Sequence, residues 1–217
     1  MMPIAALRRH IQAKAAADDR FKRLVTAVAA ALRYDLTRLT RKVYVEHCRQ
    51  LIDELGPGAL DVIEIAAGET WSGMPFRSYR ALNWPDHDIC APLAEGLAGT
   101  ADLVIAEHVF EHLLQPWQAV RNVHALLRPA GHFLVMTPFL VRVHEVPQDC
   151  SRWTETGMRH LLAEGGFPIE TVQTWSWGNL DAVKATLVTW SRVGWRRRFP
   201  NDPCFPVVVW ALARKAG

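Results

Sequence analysis

The feature that most constrains this chain is a change of hydrophobic period at residues 56–58. Upstream, Leu36, Leu39, Val43, Cys48, Leu51, Ile52 and Leu55 recur mostly at three- and four-residue steps and so share one face of a helix. Gly56-Pro57-Gly58 stops that helix, because glycine turns left-handed readily and proline cannot continue the ladder. Downstream, short apolar runs at 61–65, 79–82, 101–106, 132–137, 168–175 and 205–212 alternate with amphipathic stretches. Trp117, Val120, Val123 and Leu127 form one helical stripe over 116–128, closed by Pro129-Ala130-Gly131. Met158, Leu161 and Leu162 form another over 155–164, closed by Gly165-Gly166. This alternation predicts parallel strands joined by helical crossovers, an α/β fold whose ligands lie at the carboxyl ends of the strands. Residues 176–204 read as a helix from Asp181 to Val193 and a proline-rich loop inserted before the last strand. The expected organisation is a helical extension over 1–56 and an α/β domain over 57–217, one domain overall.

With 217 residues, half of them hydrophobic, the chain can bury a sizeable core. Its net charge is only +3, and the densest basic run, Arg196-Arg197-Arg198, is too short for a nucleic-acid tail. No nucleic-acid partner is expected. Cys48, Cys90, Cys150 and Cys204 form no C-x-x-C pair, which points to reduced thiols and a cytoplasmic location. No apolar run is long enough to span a bilayer. The Leu24–Leu32 run follows basic residues as a signal peptide does, but Arg33 ends it, so an amphipathic or buried helix is the better reading.

The first strand ends in Glu64-Ile65-Ala66-Ala67-Gly68-Glu69-Thr70, an acid followed by small residues and glycine. Nineteen residues past Glu64 stands Asn83, and five further on Asp88-Ile89. The run from Ala101 to Phe139 combines an apolar strand, Phe110-Glu111-His112, an amphipathic helix and a Pro-Ala-Gly turn before a second apolar strand. Thr137-Pro138-Phe139, His144, Pro147, Asp149 and Arg152-Trp153-Thr154 follow. Over about 58–212 this text resembles the class I S-adenosylmethionine-dependent methyltransferases, in a branch tied to sugars and cell-surface glycans. The resemblance implies a Rossmann-like three-layer α/β/α sheet, mostly parallel with an antiparallel last strand. It implies S-adenosylmethionine as cofactor, held by Glu64, Ala66, Gly68, Asn83, Asp88, Ile89 and Glu107. In the family the loop after the first strand carries three glycines, so that backbone can pass close to the ligand. Here Ala66 and Thr70 stand at two of those positions. Asn83 replaces an acid that accepts the ribose hydroxyls, which predicts weaker cofactor binding, because charge-assisted bonds are the stronger ones. Asp88 would take the adenine amine and Ile89 the ring. The short Asn83–Asp88 interval leaves no room for a crossover helix, so the sheet is expected to be abbreviated there.

His108-x-x-Glu111-His112 also fits a zinc-peptidase pattern, but that chemistry needs a continuous helix and a third ligand, and the motif straddles a strand end. No metal set is expected. Nor is there a G-x-G-x-x-G nicotinamide fingerprint. His144, with Asp149, is a candidate general base toward the acceptor, and His108 a second catalytic candidate. The alternative for His144, Asp149 and Arg152 is a hydrogen-bonded loop clasp. Glu111 and His112 are read as capping and bracing the following helix. Among nine tryptophans, Trp117 and Trp210 read as core, whereas Trp153, Trp175 and Trp177, with Arg152, are candidates to bind the acceptor or to pack under a lid.

Methyl transfer from a sulfonium is a direct displacement, which fits the absence of any nucleophile motif. The function expected is transfer to an oxygen or nitrogen of a small molecule, a sugar or glycan hydroxyl being favoured, with a homodimer as candidate assembly. The rival is a non-catalytic relative that binds a ligand or partner.

Overall fold

The computed structural model describes residues 39–144, 147–188 and 200–217, together with Arg20, Arg23, Ala27 and Val28. Leu36, the basic run at 196–198, most of the Leu24–Leu32 run and the helix expected beyond Val188 lie outside the described residues.

Among the described residues six strands form one sheet in the order β2-β1-β3-β4-β6-β5. They are β1 (Asp61–Ile65), β2 (Ser78–Leu82), β3 (Ala101–Glu107), β4 (Leu127–Pro138), β5 (Val172–Trp177) and β6 (Val208–Arg214). β1 pairs in parallel with β2 and β3, and β3 with β4. Only β6 runs the other way, antiparallel to both β4 and β5. This is the mostly parallel sheet with an antiparallel last strand that the resemblance implies.

Helices cover both faces: α1 (Leu39–Glu54) and α4 (Leu180–Val188) on one, α2 (Pro116–Leu126) and α3 (Glu155–Glu164) on the other. Successive strand residues point to opposite faces, and the two cores divide on that period. Ile63, Val104, Phe133 and Val135 pack with Val120 and Val123 of α2 and Leu162 of α3. Val62, Leu103, Ile105, Leu134 and Met136 pack with Tyr44, Cys48 and Ile52 of α1 and Ala182 of α4. Helices α1 and α4 together therefore close the second core. Helices α2 and α3 meet at Gly165, where an added Cβ would lie 2.0 Å from Val120 Cγ1.

Three boundaries differ from the sequence expectation, the last strand running over Val208–Arg214 instead of 205–212. Helix α2 stops at Leu126, and the Pro129-Ala130-Gly131 stretch lies inside β4 instead of forming a separate turn. There Leu127 already pairs with Ala101, the register shifts, Ala130 sits at φ 62°, and the C-terminal residues Lys215 and Ala216 bond back to Gly131 and Ala130. Strand β5 starts only at Val172, because Pro168 opens a short 3-10 turn.

Between β2 and β3, residues 83–100 form neither helix nor strand, the abbreviation expected there. That coil is pinned by the buried Asn122 of α2, whose amide donates to the carbonyls of Ile89 at 2.6 Å and Ala91 at 2.7 Å. At the amino edge of the sheet Asp61 and Asp102 alternate with Arg77 and Arg128 in a ring of four ion pairs. The carboxyl edge carries the site.

Candidate functional site

A cleft of about 780 Å³ opens at the carboxyl ends of β1, β2 and β3. Ile65, Ala66, Leu82, Asp88 and Ile89 line one side; His108, His112, Pro147 and Gln148 line the other, with Trp84 and Leu114 at its mouth.

On the first side, β1 delivers Glu64 to the edge and the chain turns at Ala66, which takes the left-handed φ of 53°. A side chain is disfavoured in that region, where glycine is at ease. The family's glycine position is thus a conformational demand that this chain meets with alanine. Ala66 N–H donates to Leu82 at 2.9 Å, and Ala67 N–H to Asn83 Oδ1 at 2.7 Å, so β2 holds the loop. Beneath it the buried Glu64 accepts from Gly68 N–H at 3.1 Å and from the Tyr79 hydroxyl. Burial raises the Glu64 pKa above the usual carboxylate value, against the two hydrogen bonds. Asp88 accepts from Cys90 N–H at 2.9 Å, and Ile89 is buried in the first core while still facing the cleft.

At the end of β3, His108 N–H makes the last ladder bond, to Met136, and then φ turns to 55°, a region histidine visits more readily than most residues. That kink turns Glu107 to one side. Its carboxylate accepts from Tyr44 at 2.6 Å, Arg41 Nε at 2.9 Å and Trp71 Nε1 at 2.9 Å. Burial pushes the Glu107 pKa up, but Tyr44, Arg41 and His108 override it, so the group stays below its ordinary value. Glu64, Gly68, Asn83, Glu107 and His144 lie behind the residues that line the cleft wall, and the Glu107 carboxylate anchors α1.

The 3-10 turn Phe110–His112 follows, so the H-x-x-E-H letters do not lie on a continuous helix. Nor do Glu111 and His112 cap α2, whose N-cap is Gln115. Glu111 is wholly buried, 3.5 Å from His108 Nδ1 and 3.6 Å from His112 Nε2. The loop after β4 is clamped onto this turn. Cys150 and Ser151 N–H donate to the Glu111 carbonyl, Gln148 Nε2 donates to the His112 carbonyl at 2.7 Å, and His112 Nδ1 pairs with the Gln148 carbonyl.

In that loop Asp149 accepts from His144 N–H at 2.9 Å and pairs with Arg152. These contacts build the clasp read as the alternative in the sequence. His144 lies edge-on to His112, with ring centroids 5.0 Å apart. Burial lowers its pKa, partly offset by Asp149 and Glu111. Burial raises the Asp149 pKa, but Arg152 and the His144 N–H bring it below the usual carboxylate value. Thr154 caps α3 by accepting from Gly157 N–H at 3.1 Å.

The tryptophans expected at the acceptor are elsewhere. Trp177 is buried in the second core, and Trp175 packs on His47, because β5 is the far edge strand, three strands beyond β3. Trp153 packs against the first core. Trp84, 73% exposed, stands at the cleft instead. Arg41, Tyr44, Trp71 and Tyr79 escaped sequence reasoning because their partners lie 15 or more residues away, and no local pattern marks them.

The family model described as "Methyltransferase domain" matches residues 28–177. Curated protein sequences give no match. Among solved structures, the CMeT domain of the citrinin polyketide synthase is similar with a TM-score of 0.57 at 14% identity, covering 92% of this chain and 58% of that one. A possible histamine N-methyltransferase from Thermotoga maritima has a TM-score of 0.52 at 11% identity, covering 90% and 97%. Phospholethanolamine N-methyltransferase 2 from Haemonchus contortus, in complex with phosphomonomethylethanolamine and S-adenosylhomocysteine, has a TM-score of 0.52 at 10% identity, covering 79% and 53%. At these identities the neighbours speak for the fold, and the family model for the kinship. The chain belongs to the methyltransferase-domain family and is an S-adenosylmethionine-dependent methyltransferase.

Proposed function

We propose that the cleft transfers the methyl group of S-adenosylmethionine to an oxygen or nitrogen of a small molecule, a sugar hydroxyl being the favoured acceptor. The observation that carries this is the two-sided cleft: a strand-end loop, Asp88 and Ile89 on one side, imidazoles on the other. The methionine end of the cofactor would pass the Ala66–Gly68 turn, whose Gly68 amide is held by Glu64. Asn83 would meet the ribose, Asp88 the adenine amine, and Ile89 the ring face.

The acceptor belongs at the histidine end. Displacement at a methyl group needs alignment and exclusion of water more than a covalent intermediate. His108 is the proposed base. Its Nε2 is 3.1 Å from the Tyr44 hydroxyl, which gives its own hydrogen to Glu107, so Nδ1 carries the lone pair. Protonation there yields an imidazolium facing the Glu111 carboxylate, which stabilises it. Trp84 offers a flat, exposed ring on which a sugar can stack.

Calorimetric titration with S-adenosylhomocysteine tests the reading. Saturable one-to-one binding in the micromolar range, lost in Asp88→Ala, supports it and opens a screen of sugar acceptors, in which Trp84→Ala should raise KM. A folded sample that binds nothing up to millimolar ligand would refute it.

A further inference from the structure

Glu111 sets a charge problem. Its side chain is wholly buried, and neither carboxylate oxygen accepts a hydrogen bond from any described residue. Buried carboxylates are ordinarily paired or bound to a metal. The imidazoles nearest to it offer lone pairs. The Gln148 carbonyl can only accept, so His112 Nδ1 carries the hydrogen and the neutral ring turns its bare Nε2 toward Glu111. The Tyr44 hydroxyl donates to Glu107, so its oxygen takes the hydrogen of His108 Nε2, leaving Nδ1 bare toward Glu111 as well. Lone pairs and a carboxylate converge here, and they repel unless a cation lies among them. His144 supplies a further imidazole from the other loop, and one ligand atom each of Glu111, His112 and His144 lie within 4.8 Å of one another.

We propose that Glu111, His112 and His144 bind a divalent transition-metal ion beneath the histidine end of the cleft. Two imidazoles and one carboxylate make the donor set of open zinc sites and of non-haem iron(II) sites. Metal–ligand bonds of about 2.0–2.2 Å would draw the three side chains slightly inward. The carbonyl on His112 Nδ1 is the partner that orients a metal-ligating imidazole. Asp149 and Arg152 brace the loop that delivers His144, and Gln148 ties that loop to the turn that delivers the other two ligands. This set differs from the zinc-peptidase pattern, which would use His108 and His112 on one helix. Three protein ligands leave positions open, and His112 lines the cleft, so the ion can meet an acceptor oxygen there. Only that last role rests on the methyl-transfer reading.

Metal-stripped full-length protein, titrated with Zn²⁺ against a chromophoric chelator and with Co²⁺ by visible absorption, tests the site. One equivalent should bind, weakened at least about 100-fold in Glu111→Gln and in His144→Ala, since even the loss of an outer-shell partner costs 10–100-fold. His160→Ala, exposed on α3, should bind as the parent does. Zn²⁺ should raise the parent's Tm and leave that of Glu111→Gln unmoved, with circular dichroism reporting that both are folded. Absent saturable binding, binding that survives Glu111→Gln, or a thiolate-to-cobalt band tracing the ion to Cys150 would each overturn the proposal. Protons on the rings would then be what balances Glu111. An S-adenosylhomocysteine titration on the same samples keeps the two readings apart, because the cofactor can fail to bind while the metal site stands.

Discussion

At Ala66 a left-handed backbone carries a side chain, and the physics of that single residue is testable. The conformation costs about 1–2 kcal/mol for an L-residue, whereas glycine gives back about 0.5–1 kcal/mol in unfolded-chain entropy. Ala66→Gly should therefore leave stability unchanged or raise it by up to about 1.5 kcal/mol, as thermal melts would read. It should also tighten S-adenosylhomocysteine, because the Cβ leaves the cleft wall; unchanged affinity would mean the loop does not meet the cofactor. Asn83 is similar in kind. Its amide oxygen already holds Ala67 N–H, a bond that Asn83→Asp keeps while adding charge for the ribose hydroxyls. The gain from a charge-assisted bond predicts roughly fivefold tighter binding by calorimetry. At this scale the residue types were legible in the sequence. The left-handed φ at Ala66 and at His108 was not, since a dihedral follows from where neighbouring strands force the chain to turn.

Elements decide how firmly those residues are held. The coil between β2 and β3 has no ladder of its own and depends on Asn122 across from it. Asn122→Ala strands two carbonyls and should cost about 1–3 kcal/mol, with a parallel loss of S-adenosylhomocysteine affinity as Asp88 and Ile89 loosen. If affinity holds while the Tm falls, the coil is positioned by other contacts. Helices α2 and α3 touch at Gly165, so Gly165→Ala forces Val120 aside. Overpacking of this kind costs about 1–3 kcal/mol, and denaturant melts should show it without a change in cofactor binding. The hydrophobic period revealed both helices, because an amphipathic stripe is a local property. It could not reveal the crossing point, which depends on which glycine faces which valine.

For the molecule as a whole, acid is the condition to examine. Burial lowers the pKa of His47, His124, His132 and His144, with Glu54 opposing at His47 and Lys215 and Arg214 reinforcing at His124 and His132. His47 Nδ1 accepts from Trp210 Nε1 at 2.9 Å, a bond only the neutral ring can make, since an indole N–H never accepts. Each group has a folded pKa below its unfolded value near 6.5. The unfolded chain then binds more protons as pH falls through that region, so stability present above it is lost below. The Tm should drop between pH 7.5 and 5.5, and His47→Gln should flatten part of that slope; a Tm indifferent to pH over this window would contradict the burial of these rings.

What the sequence by itself determined was the alternation of strands and helices, the missing crossover after β2, the strand-end loop and the kinship those letters carry. These are encoded in period, punctuation and spacing, which need no partner across space. What only the tertiary structure decided was which side chains meet. Helix α1 reaches Glu107 through Arg41 and Tyr44, Trp175 and Trp177 fall on a distant edge strand, and Glu111 ends buried among histidines from two loops. Sheet order fixes all three outcomes. Strands adjacent in the sheet need not be adjacent in the chain, and a buried charge finds its partners only once the sheet has closed around it.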